Sequence, residues 1–329
     1  MELKHGLHLA YCTNIHRGED WAQTFDSLKT EVLAVRDRVG AGRAYAIGLR
    51  LSEVAARELS EPAVLETFQQ WLADENCYVF TINGFPFGNF HGSRVKEQVY
   101  VPDWTSPDRL EYTNRLFDLI AALVPAGVEG SVSTLPGSFK EFITDESQER
   151  VIRDNIWKCA EHIAALSDRT GKALHLGLEP EPLGYFETSS ETVQFFERLG
   201  MEHPNDSKLT EHLGVNYDTC HLAVEYEEPE AALGALRAAG IRISKLHLSA
   251  ALIIRPDEGT RAKLKPFEED VYLHQVVERL PDGSLNRHRD LDDALATNNP
   301  AEEWRIHFHI PLHSPDGDWF ASTRGHIDG

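Results

Sequence analysis

The chain has 329 residues, 41% of them apolar and 26% charged, and its 53 Asp and Glu against 32 Lys and Arg give a formal charge of −21 at pH 7. That field repels nucleic acid and anionic membrane surfaces, so neither is expected as a partner. No run approaches the roughly 18 apolar residues of a membrane span and no basic-then-apolar leader opens the sequence, so a globular cytoplasmic protein with a large core is expected.

Strand-like and helix-like runs alternate from the N-terminus. A strand over Leu7 to Cys12 precedes a helix from about Trp21 to Val39, a strand Ala46 to Leu51, a helix around Glu61 to Asp74 and a strand Tyr78 to Asn83. A helix from about Pro107 to Leu123, the strand Gly130 to Thr134 and a long helix around Ser147 to Arg169 follow. Leu174 to Leu178 is a strand ending in Glu179-Pro180-Glu181-Pro182. A helix near Glu187 to Leu199 leads to the strand ending at Asp218, and a helix at Pro229 to Ala239 leads to the strand bearing His247. Ser106-Pro107-Asp108 and Thr188-Ser189-Ser190-Glu191 have the chemistry of helix starts, and Gly171 and Gly240 that of helix ends.

Seven strands separated by helices predict an α/β fold, a (β/α)8 TIM barrel forming one domain over 1–329. About 252–300 reads as an insertion after strand seven, with a β-hairpin in Tyr272 to Arg279 around the turn Pro281-Asp282-Gly283-Ser284. Trp304 to His313 alternates strictly and is either the eighth barrel strand or another piece of the insertion. Ser314 to Gly329 shows no convincing helix, so the barrel reads as possibly incomplete at its C-terminus. Cys12, Cys77, Cys159 and Cys220 have no paired spacing and read as reduced thiols, with Cys12 and Cys220 on buried strands.

The chemistry sits at strand ends. In a parallel barrel those ends converge on one face, and Glu179, Asp218 and His247 leave three successive strands as carboxylate, carboxylate and imidazole, a mixed oxygen and nitrogen set suited to manganese, zinc or magnesium. The prolines around Glu179 and Glu181 hold both carboxylates rigidly, Glu179 as ligand and Glu181 as second ligand or base; solvated glutamates in a loop are the alternative. Asp218 is either a ligand or a helix N-cap, with His221 facing substrate or on the first helical turn. His247 alone reads as a core histidine, and the two preceding strands make it a ligand. His307, His309 and His313 share a strand face, so His309 is a further candidate ligand or part of a surface row. The loop after strand three offers Asn83, His91 and Lys96 to a polyol or anion, and Arg50 ends strand two. It lacks the Gly-x-x-x-x-Gly-Lys pattern of a phosphate loop.

At these residues the chain resembles the xylose-isomerase-like TIM barrels, the sugar phosphate isomerase and epimerase superfamily that also includes endonuclease IV. The series of Glu179, Asp218-x-x-His221 and His247 is similar to that superfamily's metal site, and Phe90-His91-Gly92, Lys96, Val99-Tyr100 and Pro102-Asp103-Trp104 are similar to its rhamnose-isomerase-like branch. Leu9 to His16, Thr81 to Pro86, Leu178 to Pro182 and Ile306 to Pro311 resemble the EboE-type metabolite traffic family of the ebo gene cluster, over nearly the whole chain. The resemblance implies a final carboxylate from strand eight. No such strand is read before Gly329, so either the chain is C-terminally truncated or His309 substitutes for that carboxylate.

The leading expectation is a divalent-metal-dependent isomerase or epimerase acting on a sugar-like or other small α-hydroxycarbonyl metabolite, through an enediolate or a hydride shift. Glu179 or Glu181 is then the base, with His221, Lys96 and Asn83 orienting oxygens. The alternatives are a non-catalytic metabolite-binding protein of the EboE type and a metal-dependent phosphodiester hydrolase like endonuclease IV, which the charge opposes. Substrate, metal and oligomeric state stay open, an oligomer being compatible with the sequence.

Overall fold

The computed structural model describes residues 1–88, 96–268 and 273–328. Seven parallel strands form one sheet in chain order: β1 (Ala10–Cys12), β2 (Tyr45–Arg50), β3 (Cys77–Asn83), β4 (Gly130–Thr134), β5 (Leu174–Leu178), β6 (Leu213–Asp218) and β7 (Arg242–His247). All residues of β2, β4, β5 and β6 are buried, as expected where helices cover one face of a sheet and side chains fill the other.

The connecting helices carry their own start and stop signals. Asp145 caps the helix Glu146–Thr170 by accepting from the amides of Ser147 and Gln148, and the helix ends at Gly171 in the left-handed region, φ 68°. Ile152, Ile156, Ala160 and Ile163 form its buried stripe at helical spacing. Each fully buried isoleucine of this stripe contributes about 1.5–3 kcal/mol.

The sheet curls. Strands β4 and β7 are three positions apart, about 14 Å in a flat sheet, yet Lys245 Nζ on β7 reaches Ser133 Oγ on β4 at 3.3 Å, and Ser244 Oγ donates to the Leu176 carbonyl of β5 at 3.1 Å. The curl is that of a partial barrel, and among the described residues no eighth strand joins β7 to β1. Of the expected (β/α)8 barrel, read as possibly incomplete, seven parallel strands in a curled sheet are present. On the free side of β7, Ile243 is 37%, Leu246 53% and Leu248 48% exposed, and near β1 Leu7 is 63% and Leu9 40% exposed.

The chain instead turns back after His247 into a second sheet. Its strands are β8 (Ala250–Ile254), β9 (Val276–Arg279), β10 (Leu285–His288), β11 (Glu303–Ile310) and β12 (Ala321–Ser322), in the antiparallel order β10-β9-β11-β8-β12. Strands β9 and β10 pair across a turn with Gly283 at φ 83°. The strand read as a candidate eighth barrel strand is β11, which pairs antiparallel with β8 and β9 and so belongs to this sheet. His313 lies beyond its end.

Alternation on β11 decides what it presents. Trp304 and Ile306 are buried in the second sheet's own core with Leu252, Ile254 and Val276, and Phe308 packs against it. Arg305, His307 and His309 take the opposite face. There Arg305 Nη1 donates to the Ala223 carbonyl at 2.7 Å, docking the sheet on the short helix Thr219–Val224 that follows β6. Cys220 lies on this helix, not on a strand as expected, and all four cysteines are free. Among the described residues no helix is long and apolar enough to cross a membrane.

Candidate metal centre

The ends of β5, β6 and β7 bring three side chains together. Asp218 and His247 are direct partners across β6 and β7, and Leu178, the residue before Glu179, pairs with Val215. The Glu179 amide still donates to the Thr134 carbonyl at 2.9 Å, so the ladder holds Glu179 in place before Pro180 ends it. His247 Nδ1 then lies 3.1 Å from Glu179 Oε1 and 3.4 Å from Asp218 Oδ2, and the Asn216 amide stands 3.2 Å from the same nitrogen.

Of the two sequence readings of Asp218, the helix N-cap is seen on one oxygen, and the other oxygen faces the imidazoles. Oδ1 accepts from the Cys220 amide at 2.8 Å, the His221 amide at 3.4 Å and Ser249 Oγ at 2.6 Å, which makes Asp218 the N-cap of Thr219–Val224. Oδ2 faces His247 and, at 3.9 Å, His221 Nε2. His221 Nδ1 is 3.8 Å from Glu179 Oε1, so its ring spans the two carboxylates.

The electrostatics are those of buried charges confined together. Burial opposes ionisation of Glu179, but His247 and His221 hold its pKa below the usual value, and the same imidazoles hold Asp218 well below its own against burial. Burial and Lys245 oppose protonation of His247, yet Glu179 and Asp218 lift it to about 9. Glu181 behaves oppositely: burial, with Glu179 and Asp218 nearby, raises it well above a normal carboxyl, and the Tyr100 side chain is a partial counterweight. Two glutamates two residues apart are thus driven to different protonation states.

Glu179, Asp218 and His247 each offer a ligand atom, all within 4.8 Å of one another, and can hold a metal ion. Glu179 Oε2 and His247 Nε2 are buried without a hydrogen-bond partner, so the cluster is not satisfied by protein contacts alone.

The remaining expected residues are distributed around this group. His309 lies on β11, its ring 5.9 Å from that of His221. Asn83 Oδ1 accepts from the Phe85 amide at 3.0 Å. Lys96 Nζ pairs with Asp290 Oδ2 at 2.6 Å, and Arg50 donates to the carbonyls of Gly18 and Gly88. His91 lies outside the described residues. Sequence reasoning missed Ser249, Asn216, Lys245 and Gln275. The first three lie on or next to β6 and β7, where strand alternation could have aimed Asn216 and Lys245 inward.

No family model and no curated protein matches this sequence. Solved structures to which the chain is similar include AsbF, a probable 3-DHS dehydratase involved in petrobactin synthesis from Bacillus anthracis, at 16% identity over 74% of this chain and 73% of that one, TM-score 0.46. An L-ribulose 3-epimerase is similar at 15% identity over 73% and 80% of the two chains, TM-score 0.45. The IOLI protein with a bound zinc atom is similar at 13% identity over 64% and 65%, TM-score 0.40.

Proposed function

We propose that the protein is a divalent-metal-dependent isomerase or epimerase of a small α-hydroxycarbonyl metabolite, sugar-like in its oxygen pattern. The observation that carries this reading is the convergence of Glu179, Asp218 and His247 within ligating distance of one another, beside a glutamate whose pKa is driven up. Glu179, Asp218 and His247 are the residues that would hold the ion. A bound divalent cation supplies Lewis acidity, drawing electron density from a carbonyl and acidifying the adjacent C–H.

The protein's own groups supply the rest. Glu181, two residues from Glu179 on the same rigid loop, is the proton carrier: in its ionised fraction it is a stronger base than an exposed carboxylate, and once protonated it returns the proton to carbon. His221, fixed between the two carboxylates, orients a substrate oxygen. The proline-locked backbone around Glu181 fixes where the proton is taken and returned.

A second reading, binding and hand-over of a metabolite without turnover, as the EboE-type resemblance implies, is favoured by one observation. Among the carboxyls described in this cluster Glu181 alone stands outside the His247 contacts, leaving one base where epimerisation by two opposed bases needs a pair. Incubating metal-loaded protein with ketoses in deuterium oxide tests both readings. Exchange of the α-hydrogen that is lost in Glu181→Gln supports the isomerase reading, whereas tight binding of a ketose with no exchange rejects it in favour of the carrier.

A further inference from the structure

The face of β11 turned to the helix Thr219–Val224 carries a second donor group. Cys220, His307 and His309 each offer a ligand atom within 4.8 Å of the others. His307 Nε2 and His309 Nε2 point at each other across 3.1 Å. We infer that Cys220, His307 and His309 form a second metal-binding position that takes zinc or another borderline-to-soft divalent cation. The inference does not rest on the isomerase reading, because none of these residues belongs to the Glu179, Asp218 and His247 group.

Three observations support it beyond proximity. The first is tautomer control. Gln275 Nε2 donates to the Pro182 carbonyl at 3.3 Å, which turns Gln275 Oε1 toward His307 Nδ1 at 2.8 Å. A carbonyl oxygen can only accept, so His307 Nδ1 carries the proton and Nε2 presents a bare lone pair toward His309, the orientation that outer hydrogen bonds impose on metal-ligating histidines. Gln275 is thereby a positioning residue.

The second is rigidity. His307 is held by the β11 backbone, its amide donating to the Gln275 carbonyl at 2.9 Å, and Cys220 is fully buried on a helix capped by Asp218. Donors on paired strands and a capped helix are the kind of support that fixes ligand geometry.

The third is the donor chemistry and its opening. One thiolate sulfur with two imidazole nitrogens selects zinc over the hard cations preferred by carboxylates. Three protein ligands leave a fourth position, and His309 is the solvent-exposed member of the set, so that position has an approach from outside. His309, expected with Glu179, Asp218 and His247, is grouped here with Cys220 and His307. The two positions are one side chain apart: the His221 ring, which spans Glu179 and Asp218, lies 4.6 Å from His307.

Cobalt(II) substitution of the full chain tests this, because a cobalt–thiolate bond gives a charge-transfer band in the near ultraviolet that carboxylate and imidazole ligands do not. The band is expected on titration with cobalt, and it should vanish in Cys220→Ser together with one bound ion measured by plasma mass spectrometry. In Asp218→Asn the band should persist while the other ion is lost. His309→Ala, at an exposed position, should weaken cobalt affinity at least tenfold and serves if Cys220→Ser does not fold. Cobalt binding with no thiolate band, or a Cys220→Ser protein with unchanged ion content, overturns the second position and leaves the first standing. The band without an Asp218-dependent ion overturns the first and leaves the second.

Discussion

Asp218 and His247 are register partners on adjacent strands, and the 3.4 Å between Asp218 Oδ2 and His247 Nδ1 exists because Oδ1 of the same carboxylate is fastened by Ser249 and two backbone amides. One side chain therefore caps a helix and offers a ligand atom, and the two roles can be separated by substitution.

Asp218→Asn keeps an oxygen for the cap and removes the charge, whereas Asp218→Ala removes both. Both variants should lose the ion held with Glu179 and His247. Without metal, Asp218→Ala should be less stable than Asp218→Asn by about 1 kcal/mol, the usual worth of an N-cap. Melting of the two chelated variants and metal analysis of the untreated ones check this. Equal melting points would remove the cap from the account.

Chelation should lower the melting temperature of the metal-loaded wild type. A ligand present at about 100 times its dissociation constant stabilises the native state by about 2.7 kcal/mol, a shift of several degrees for a chain of this size. The Glu179→Gln variant should melt at the same temperature with and without chelator if the first position dominates, and a persistent shift in that variant would assign the stabilisation to the Cys220 group.

Glu225 provides a pH test away from the metal ligands. Burial raises its pKa to about 7, with Glu187 adding to the rise and Arg287, whose Nη2 is 2.5 Å from Oε2, opposing it. Its folded-state pKa thus exceeds the unfolded value of about 4.5. The contribution to stability is full below pH 4.5 and is lost as pH rises through 7, on the order of 3 kcal/mol in all. Glu225→Gln should flatten that part of the curve, so the variant gains on wild type between pH 5 and pH 8 in thermal melts. A constant difference across that range would count against the raised pKa.

The free side of β7 makes a surface prediction. Leu246 and Leu248 are about half exposed next to a strand edge that is unpaired among the described residues, an arrangement that favours self-association. Replacing both with lysine should lower light scattering and binding of an apolar dye while changing stability by less than about 0.5 kcal/mol each. Undiminished scattering would place the association elsewhere.

Much of the first sheet is legible in the sequence, because strands buried on both faces read as short apolar runs and their polar ends are conspicuous. Leu174 to Leu178 and Gly130 to Thr134 are strands over those same residues. That Glu179, Asp218 and His247 leave the ends of three successive parallel strands is something periodicity can convey. What cannot be read is pairing between distant segments. The run Ala250-Ala251-Leu252-Ile253-Ile254 looks like any buried strand, and only its antiparallel match with Trp304 to Ile306 tells it apart from a barrel element. Cys220 was as apolar in context as a strand residue, and the Asp218 cap that makes its segment helical is a tertiary as well as a local signal, since Ser249 helps to hold it. Gln275 is separated from Pro182 by 93 positions, and nothing in its own neighbourhood marks it as a support for either the proline loop or His307.

The docking of β11 on the helix after β6 gives the centre an order of assembly. A chain that has emerged from the ribosome only through β7 already contains Glu179, Asp218 and His247, while His307 and His309 follow later. Early capture of an ion by the first three would pin β5, β6 and β7 together before the second sheet exists, giving that sheet a fixed platform on which to fold. Folding without metal would then be slowed at the seating of the C-terminal sheet rather than at the formation of the parallel one.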